Sequence, residues 1–307
     1  MKQFKSDWKT AKVLVIGDVM LDKWTHHTKT RISPEAPVHV IRETGSQSEL
    51  GGAGNALRHL NYLSSQTHEL LTVLGNDQAG IELQELCLHS KSKVHWILDK
   101  TRQTTTKDRF FLDGILQFRK DSEDLEGISN SIETEMILIL RSIINNFDVL
   151  LLSDYAKGVL SQNFVQQIKT LALGLEIPIV VDPGLGRLQY YYGCTVIKPN
   201  SIEWNQHTAL VGSEEEALKI LFASGTKQIL VTQSSKGVRL ISRDQDKSLQ
   251  PSEAIEVVDV TGAGDSLAAG LALMIGEGFS IETNLEILNK IGATTVSQHK
   301  TQLPGDK

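Results

Sequence analysis

Residues 148–183 read DVLLLSDYAKGVLSQNFVQQIKTLALGLEIPIVVDP and contain two strand patterns separated by a helix pattern. The runs DVLLLSD and PIVVDP are apolar without alternation, which is typical of strands buried on both faces. Between them, over 163–173, apolar residues recur at helical spacing. A strand, a helix and a second strand in this order predict two parallel strands joined by a right-handed crossover.

The same alternation continues along the chain. Further strand-like runs are VLVIG (13–17), LTVLG (71–75), TVIKPN (195–200) and QILVT (228–232), and helix-period segments lie at 55–63, 79–89, 132–145 and 214–222. This pattern predicts an α/β fold, with a mostly parallel sheet flanked by helices, in a single domain over residues 1–307.

Two stretches break this rhythm. One contains the short run VHVI among polar residues, and the other contains VHWIL, TTTKDRFF and ILQFR, with Asp113-Gly114 as a hairpin turn. We expect antiparallel strands outside the main sheet, forming a small β-sheet lid from about 22–45 and 93–120.

Composition limits the class of protein. The 307 residues are 40% hydrophobic and 22% charged, as in a globular protein, and the net charge of −6 argues against a nucleic-acid partner. No stretch approaches the roughly 20 apolar residues of a membrane span. Cys87 and Cys194 have no metal-ligand spacing, so we expect a reducing, cytoplasmic location. The last residues, 301–307, are expected to form a loose tail.

The sharpest chemical signal is DVTGAGDS at 259–266, which follows the strand-like AIEVVD and opens an apolar helix. Small residues such as Gly262, Ala263 and Gly264 at a helix start let backbone amides approach an anion, and the helix dipole favours negative charge there. Asp265 beside such an anion hole can accept a proton from an attacking hydroxyl. The alternative is a glycine-rich cap with Asp265 as a capping charge.

Other nucleotide motifs are absent. The sequence has no G-x-x-x-x-G-K-[ST], so it is not a P-loop enzyme. Leu267 stands where the dinucleotide-binding fingerprint needs its last glycine.

Several polar residues follow predicted strands or open helices and are candidates for binding a sugar. In the glycine-rich GGAGN, Gly51 and Gly52 allow close backbone approach and Asn55 can bond a hydroxyl, although a tight helix cap explains the same pattern. The remaining candidates are Asp18 and Asp22 after the first strand, Asp154 and Lys157 in SDYAKG, and Lys107 and Arg109 on the lid, where they could pair with a substrate phosphate. A lone loop acid or base is otherwise most often solvated.

Two strand ends are candidates for the nucleotide. In KPNSIE, Asn200 and Glu203 are three residues apart, so a helical turn would bring them together to orient water on Mg²⁺, or to form a capping box, or both. The segment from Thr232 through Ser234 to Gly237 could hold nucleotide or be a plain hairpin.

Together these motifs resemble the PfkB/ribokinase family of carbohydrate kinases, in this order and over nearly the whole chain. The resemblance implies a ribokinase-like fold that uses ATP and Mg²⁺. It implies Asp265 as the catalytic base and Gly262 to Gly264 as the anion hole. It also implies a nucleotide side, with Asn200 and Glu203 supporting Mg²⁺ through water, that comprises Lys198, Asn200, Glu203, Thr232, Ser234, Gly237 and Asn289.

Within the family, the segments GDVMLDKW, TRISPEAPV (30–38), GGAGN, TTTKDRF and LSDYAKGVL are most similar to kinases that phosphorylate D-glycero-D-manno-heptose 7-phosphate at O1. Those kinases supply precursors of the lipopolysaccharide inner core, and many continue into a nucleotidyltransferase domain, which we do not expect in this chain. The resemblance implies a sugar phosphate and ATP as small-molecule partners and a homodimer formed through the lid.

The chain departs from the family pattern at two places. Asp-Pro-Lys-Gly is expected after the central strand, but this sequence has Asp182-Pro-Gly-Leu-Gly-Arg187, and SQHKTQLPG near the end lacks an expected Gly-Thr. Two rival functions stay open: a PfkB kinase for another sugar or nucleoside, and a non-catalytic sugar or nucleotide sensor.

Overall fold

The computed structural model describes residues 8, 10–88, 91–249 and 262–296. The strand predicted before Asp259, the first three residues of DVTGAGDS, the predicted helix end at residue 89 and the segment 297–307 lie outside the described residues.

Nine strands of the described chain form one sheet, and four other strands form a second, smaller sheet. The strands of the large sheet are β1 (Val13–Gly17), β4 (Glu69–Gly75), β5 (Lys93–Asp99), β8 (Val149–Ser153), β9 (Ile179–Asp182), β10 (Val196–Ile197), β11 (Gln228–Thr232), β12 (Val238–Ser242) and β13 (Asp246–Leu249). Their order is β13-β12-β11-β10-β9-β8-β1-β4-β5. All pairs from β11 to β5 are parallel, and β12 and β13 extend the edge as antiparallel strands, which confirms the predicted sheet.

Helices cover both faces of this sheet. They are α1 (Ala53–Leu63), α2 (Gln78–Leu88), α3 (Asn130–Ile143), α4 (Gln162–Gly174), α5 (Ser201–Val211), α6 (Glu214–Ala223), α7 (Ala263–Gly276) and α8 (Ile281–Val296). Alternate residues of β1 enter opposite cores: Leu14 and Ile16 pack toward α3 and α4, whereas Val13 and Val15 pack toward α1, α7 and α8. Burial on both faces explains why these strands are continuous apolar runs.

The second sheet is the predicted lid, with strands β2 (Val19–Ile32), β3 (His39–Gly52), β6 (Thr106–Leu112) and β7 (Ile115–Ser122) in the order β3-β2-β6-β7. Asp113 and Gly114 have φ values of 50° and 81° and form the predicted hairpin turn between β6 and β7. β2 and β6 pair in parallel, so the lid is not wholly antiparallel as expected.

Two boundaries of the predicted lid are wrong. VHWIL belongs to β5, which pairs in parallel with β4 at the edge of the large sheet. A half-buried edge strand has the same mixed composition as a lid strand, so sequence pattern cannot separate the two. The first lid segment is also longer than 22–45, because β2 begins at Val19, directly after β1, and β3 continues to Gly52.

No helix in the described ranges is both long and apolar enough to span a bilayer. Both cysteines are buried and free. The carboxyl ends of β1, β8, β9 and β10, the start of α7 and the base of the lid converge at one edge of the large sheet, which is where open α/β sheets bind ligands.

Candidate active site

Asp265 lies in the first turn of α7 and is buried. Asn55 Nδ2 donates a hydrogen bond to its Oδ2 at 2.6 Å, and the Tyr155 hydroxyl donates to its Oδ1. Burial raises the pKa of the Asp265 carboxyl to about 6, assisted by the charge of Asp182 and opposed by the two hydrogen bonds and by Lys198. This is a carboxylate that is held at both oxygens and that titrates close to neutral pH.

The glycines of the motif shape the start of α7. Gly262 is the N-cap residue and has φ 80°, a left-handed conformation that other residues rarely adopt. A Cβ atom built on Gly264 would lie 3.8 Å from Lys198 Nζ and 4.0 Å from Asp182 Oδ2. The first amides of the helix therefore open next to a buried ammonium group, which is favourable for an anion.

Lys198 and Asp182 form a buried ion pair next to Asp265, with 2.8 Å between Nζ and Oδ1. Burial raises the pKa of the Asp182 carboxyl, and Lys198 opposes that rise. Burial also raises the pKa of the Glu203 carboxyl, to about 7, and the charge of Asp182 adds to this effect. Three carboxylates, those of Asp182, Glu203 and Asp265, thus lie near the single ammonium group of Lys198, so an added cation would be electrostatically favoured.

Asn200 and Glu203 form the capping box of α5. The Asn200 amide N–H donates to Glu203 Oε2 at 2.8 Å, and Asn200 Nδ2 donates to Glu203 Oε1 at 2.7 Å. The predicted proximity of the two side chains is confirmed, and so is the capping alternative.

The nucleotide-side candidates are only partly brought together. The Thr232 amide donates to the Pro199 carbonyl at 2.9 Å, so the end of β11 lies beside Asn200. Ser234, with φ 51°, and Gly237, with φ 84°, belong to the tight turn between β11 and β12, as the hairpin alternative predicted. Asn289 is buried on α8, which packs against α7.

Asp18 makes hydrogen bonds that the sequence did not predict. Its Oδ2 accepts hydrogen bonds from the amides of Tyr155 at 2.8 Å and Lys157 at 3.1 Å, and its Oδ1 accepts from Val159 at 3.0 Å. These bonds connect the carboxylate to the loop after β8, and the predicted contact with sugar hydroxyls stays a prediction. The sequence could not show this, because the loop lies some 140 residues away.

Asp154 is likewise engaged within the protein. It accepts hydrogen bonds from the Tyr191 hydroxyl at 2.5 Å and from the Ala156 amide at 2.8 Å, and Arg187 Nη1 lies 3.4 Å away. Burial, followed by the charge of Asp18, raises the pKa of the Asp154 carboxyl to about 6. Arg187 is the basic residue that follows Asp182-Pro later than the family pattern expects. Its positive charge lies beside Asp154 and offsets the charge of that carboxylate.

The lid carries charged side chains next to this edge of the large sheet. Arg109 Nη1 lies 2.8 Å from Asp22 Oδ1, and its guanidinium stacks 4.9 Å above the Trp24 ring. A Cβ on Gly51 would collide with the Asp22 carboxylate, so glycine is required for this approach. Gly52, with φ 60°, then starts α1.

Lys107, on the lid strand β6, lies close to Tyr155 in the loop after β8. Its Nζ lies 5.6 Å from the centroid of the Tyr155 ring. Burial lowers the pKa of the Lys107 ammonium, Asp22 opposes this, and the charges of Arg119 and Lys157 lower the pKa further. Lys157 also pairs with Glu123 at 2.7 Å. Several basic groups are thus close enough to repel one another, an arrangement that an anion would relieve.

Tyr155 and Asp182 were not among the predicted site residues. Tyr155 stands between two predicted residues in SDYAKG, but a tyrosine pattern does not show where its hydroxyl points. Asp182 ends β9, and its position at the carboxyl end of a central strand was the available signal.

Comparison with known proteins identifies the family of this chain. The pfkB family carbohydrate kinase profile matches residues 10–307. The chain is 35% identical over 309 aligned residues to "Bifunctional protein HldE" of Pasteurella multocida (97% of this chain), and 35% identical over 303 to the protein of that name from Campylobacter jejuni (97%). It spans 64% and 63% of the length of these two curated relatives.

Solved structures share the fold at low identity. Escherichia coli phosphofructokinase-2 in complex with potassium superposes with a TM-score of 0.76 at 18% identity, covering 96% of this chain and 95% of that one. Arabidopsis thaliana ribokinase complexed with ribose and ATP gives 0.68 at 18% identity, covering 94% and 93%. The chain therefore belongs to the PfkB family of carbohydrate kinases.

Proposed function

We propose that the kinase transfers the γ-phosphoryl group of ATP to the anomeric hydroxyl of a sugar phosphate, D-glycero-D-manno-heptose 7-phosphate, to form the 1,7-bisphosphate for lipopolysaccharide core precursors. The observation that carries the transfer chemistry is the buried Asp265, fixed at both oxygens beside the start of α7. The choice of a heptose phosphate is supported by the sequence segments listed above and by 35% identity to proteins named HldE.

In the proposed reaction the acceptor hydroxyl attacks the γ-phosphorus in line while Asp265 takes its proton. A carboxyl with a pKa of about 6 is ionised at neutral pH yet more basic than an ordinary aspartate, which suits a general base. The first amides of α7 and the Lys198 ammonium lie together, where they stabilise the negative charge of the transferring group.

Asn55 supports a sugar hydroxyl beside the base. Its Nδ2 is committed to Asp265, and its buried Oδ1 has no hydrogen-bond partner among the described residues. A buried acceptor without a donor is costly, so this oxygen fits a hydroxyl of the substrate.

The basic residues of the lid and of the loop after β8 support the proposal that the acceptor carries a phosphate group. Lys107, Arg109, Arg119 and Lys157 bring four positive charges to this region, of which Arg109, Arg119 and Lys157 are paired with carboxylates. A phosphate dianion would form charge-assisted hydrogen bonds with such groups and remove their mutual repulsion. Closure of the lid over it would exclude water and limit wasteful ATP hydrolysis.

The residues present fit Mg²⁺ bound mainly through water and nucleotide phosphates. Within the described ranges no three acidic, histidine or cysteine side chains form a metal cluster, so a protein cage for the ion is not available there. Glu203 and Asn200, which lie together at the start of α5, would hold the hydrated ion, as expected for a cation that keeps several waters. When bound, the ion would neutralise phosphate charge.

We also propose a homodimer formed through the lid. Exposed apolar side chains, Ile41, Ile115, Leu116 and Phe118, lie on its strands, and residues 30–38, the segment most similar to heptose kinases, lie at the exposed tip of the β2–β3 hairpin. Sedimentation velocity tests this: Phe118→Ser should weaken a dimer, and a monomer in the unaltered protein would contradict the proposal. A location in the cytoplasm, where ATP is supplied, completes the proposal.

The test is ADP release across heptose, hexose and pentose phosphates, with and without Asp265→Asn. We expect the heptose 7-phosphate to give the highest kcat/KM and Asp265→Asn to lower kcat by at least about 100-fold while ATP binding is kept. Asp244→Asn, an exposed acid between β12 and β13, is the matched control and should leave turnover unchanged.

The panel also separates the alternatives. If another sugar or a nucleoside gives the highest kcat/KM, the proposed substrate is wrong but the proposed phosphoryl transfer with Asp265 as the base stands. ATP and sugar binding without turnover in the unaltered protein would indicate a sensor.

A further inference from the structure

We propose that Tyr155 is a positioning residue of the kinase reaction, whose hydroxyl group fixes the Asp265 carboxylate for proton abstraction. This inference rests on the proposed role of Asp265 as the base. It adds a residue outside the TGAGD motif and 110 positions before Asp265.

The two hydrogen bonds to Asp265 come from different elements. The Tyr155 hydroxyl, from the loop after β8, donates to Oδ1, and Asn55 Nδ2, from α1, donates to Oδ2. Together they restrain rotation of the carboxylate plane and leave its remaining lone pairs available to a substrate hydroxyl. Fixed orientation of a reacting group contributes to rate because a near-attack geometry is already formed.

The backbone of Tyr155 is itself held. Its amide donates to Asp18 Oδ2 at 2.8 Å, and the next amide, that of Ala156, donates to Asp154 Oδ1 at 2.8 Å. Ala156 has φ 56°, which is unusual for a residue with a side chain and persists because these bonds impose it. Two buried carboxylates therefore fix the tyrosine at the carboxyl ends of β1 and β8.

The chemistry of the phenol suits a positioning role and not that of a base. Burial and the charge of Asp265 raise the pKa of the Tyr155 hydroxyl well above 10, so it remains a proton donor to the carboxylate. Its hydrogen bond opposes the rise in the pKa of Asp265 that burial causes. The other charged groups that face this pair are Asp182 from β9, Lys198 after β10, and Asp22 and Lys107 from the lid.

The first test is the pH profile of kcat/KM for the sugar phosphate with the highest turnover in the panel. Tyr155→Phe should move the acid limb to higher pH by about one unit, because it removes a hydrogen bond that favours the ionised carboxyl. It should also lower kcat about tenfold at pH values above the limb, with little change in the KM for ATP. An acid limb at the same pH as in the unaltered enzyme overturns the proposal.

Two further variants separate positioning from mere structural support. Tyr191→Phe removes a second tyrosine–carboxylate bond, to Asp154, and should leave the acid limb in place. Replacement of Tyr155 by a fluorinated tyrosine keeps the shape but strengthens the donor, so the limb should move to lower pH. A limb that moves in the same direction in the fluorinated and Tyr155→Phe enzymes contradicts the proposal.

A second measurement needs no substrate. The folded pKa of Asp265 is raised from 3.8 to about 6, so the unaltered protein should gain stability relative to Asp265→Asn as the pH falls from about 6 to about 4. When Tyr155→Phe is added to both proteins, the folded pKa of Asp265 rises further in the protein that keeps this residue, which should extend the range to higher pH. An unchanged range overturns the positioning proposal, whereas full turnover by Asp265→Asn overturns the proposed function itself.

Discussion

Asn55 and Asp265 are 210 positions apart in the chain, and Asn55 Nδ2 donates a 2.6 Å hydrogen bond to Asp265 Oδ2 in a buried site. The bond connects the helix that follows the lid hairpin with the first turn of α7. It also determines how the Asn55 amide is oriented, since a carboxylate accepts only from the NH₂ group. The amide oxygen is therefore available to a substrate hydroxyl beside the proposed base.

Asn55→Ala should lower kcat/KM about 10- to 100-fold, because one charge-assisted hydrogen bond to Asp265 and one acceptor for the sugar are lost. Steady-state kinetics at pH 7.5 or above, where the base is ionised, measures this. Asn61→Ala is the control on the same helix: Asn61 bonds Ser92 and should not affect turnover. Equal losses in both variants would indicate general damage to α1 instead.

Lys107→Met should raise the KM for the sugar phosphate about tenfold or more and leave the KM for ATP unchanged, because a charge-assisted contact to the acceptor phosphate is lost. Kinetics with the phosphorylated and the unphosphorylated sugar checks the assignment, since only the former should respond. Lys120→Met is the matched control: Lys120 is exposed on β7 and, by strand alternation, lies on the opposite face of the lid from Lys107 and Arg119. A rise in the KM for both sugars would argue against a phosphate contact.

Asp18→Ala should destabilise the protein by about 3 kcal/mol or more, because three backbone amides in a partly buried loop lose their acceptor at about 1–3 kcal/mol each. Urea unfolding measures the change. Asp124→Ala removes an acid that accepts from one backbone amide, that of Glu126, and should cost less than about 1 kcal/mol. If Asp18→Ala unfolds like the unaltered protein but loses sugar affinity, the original sugar-binding interpretation of Asp18 is correct.

Much of the architecture could be predicted from local pattern. The parallel strands were recognisable because burial on both faces requires uninterrupted apolar runs, and the helices at 163–173 and 214–222 match α4 and α6 to within one residue at each end. The misassigned β5 shows the limit of the method. Membership in one sheet or another is a matter of which backbone pairs with which, and a half-buried strand carries no local sign of its partner.

The candidate site likewise has features that the sequence predicts and contacts that only the fold creates. The sequence by itself determined the glycine-rich start of α7 with its aspartate, and the capping box of Asn200 and Glu203, because backbone conformation and spacings of three residues are local properties. Only the tertiary structure decided that Asp18 holds a loop, that Lys198 pairs with Asp182, and that Tyr155 reaches the carboxylate. Each of these contacts joins residues that end or follow different strands, so it depends on how the strands are ordered in the sheet, which no local spacing encodes.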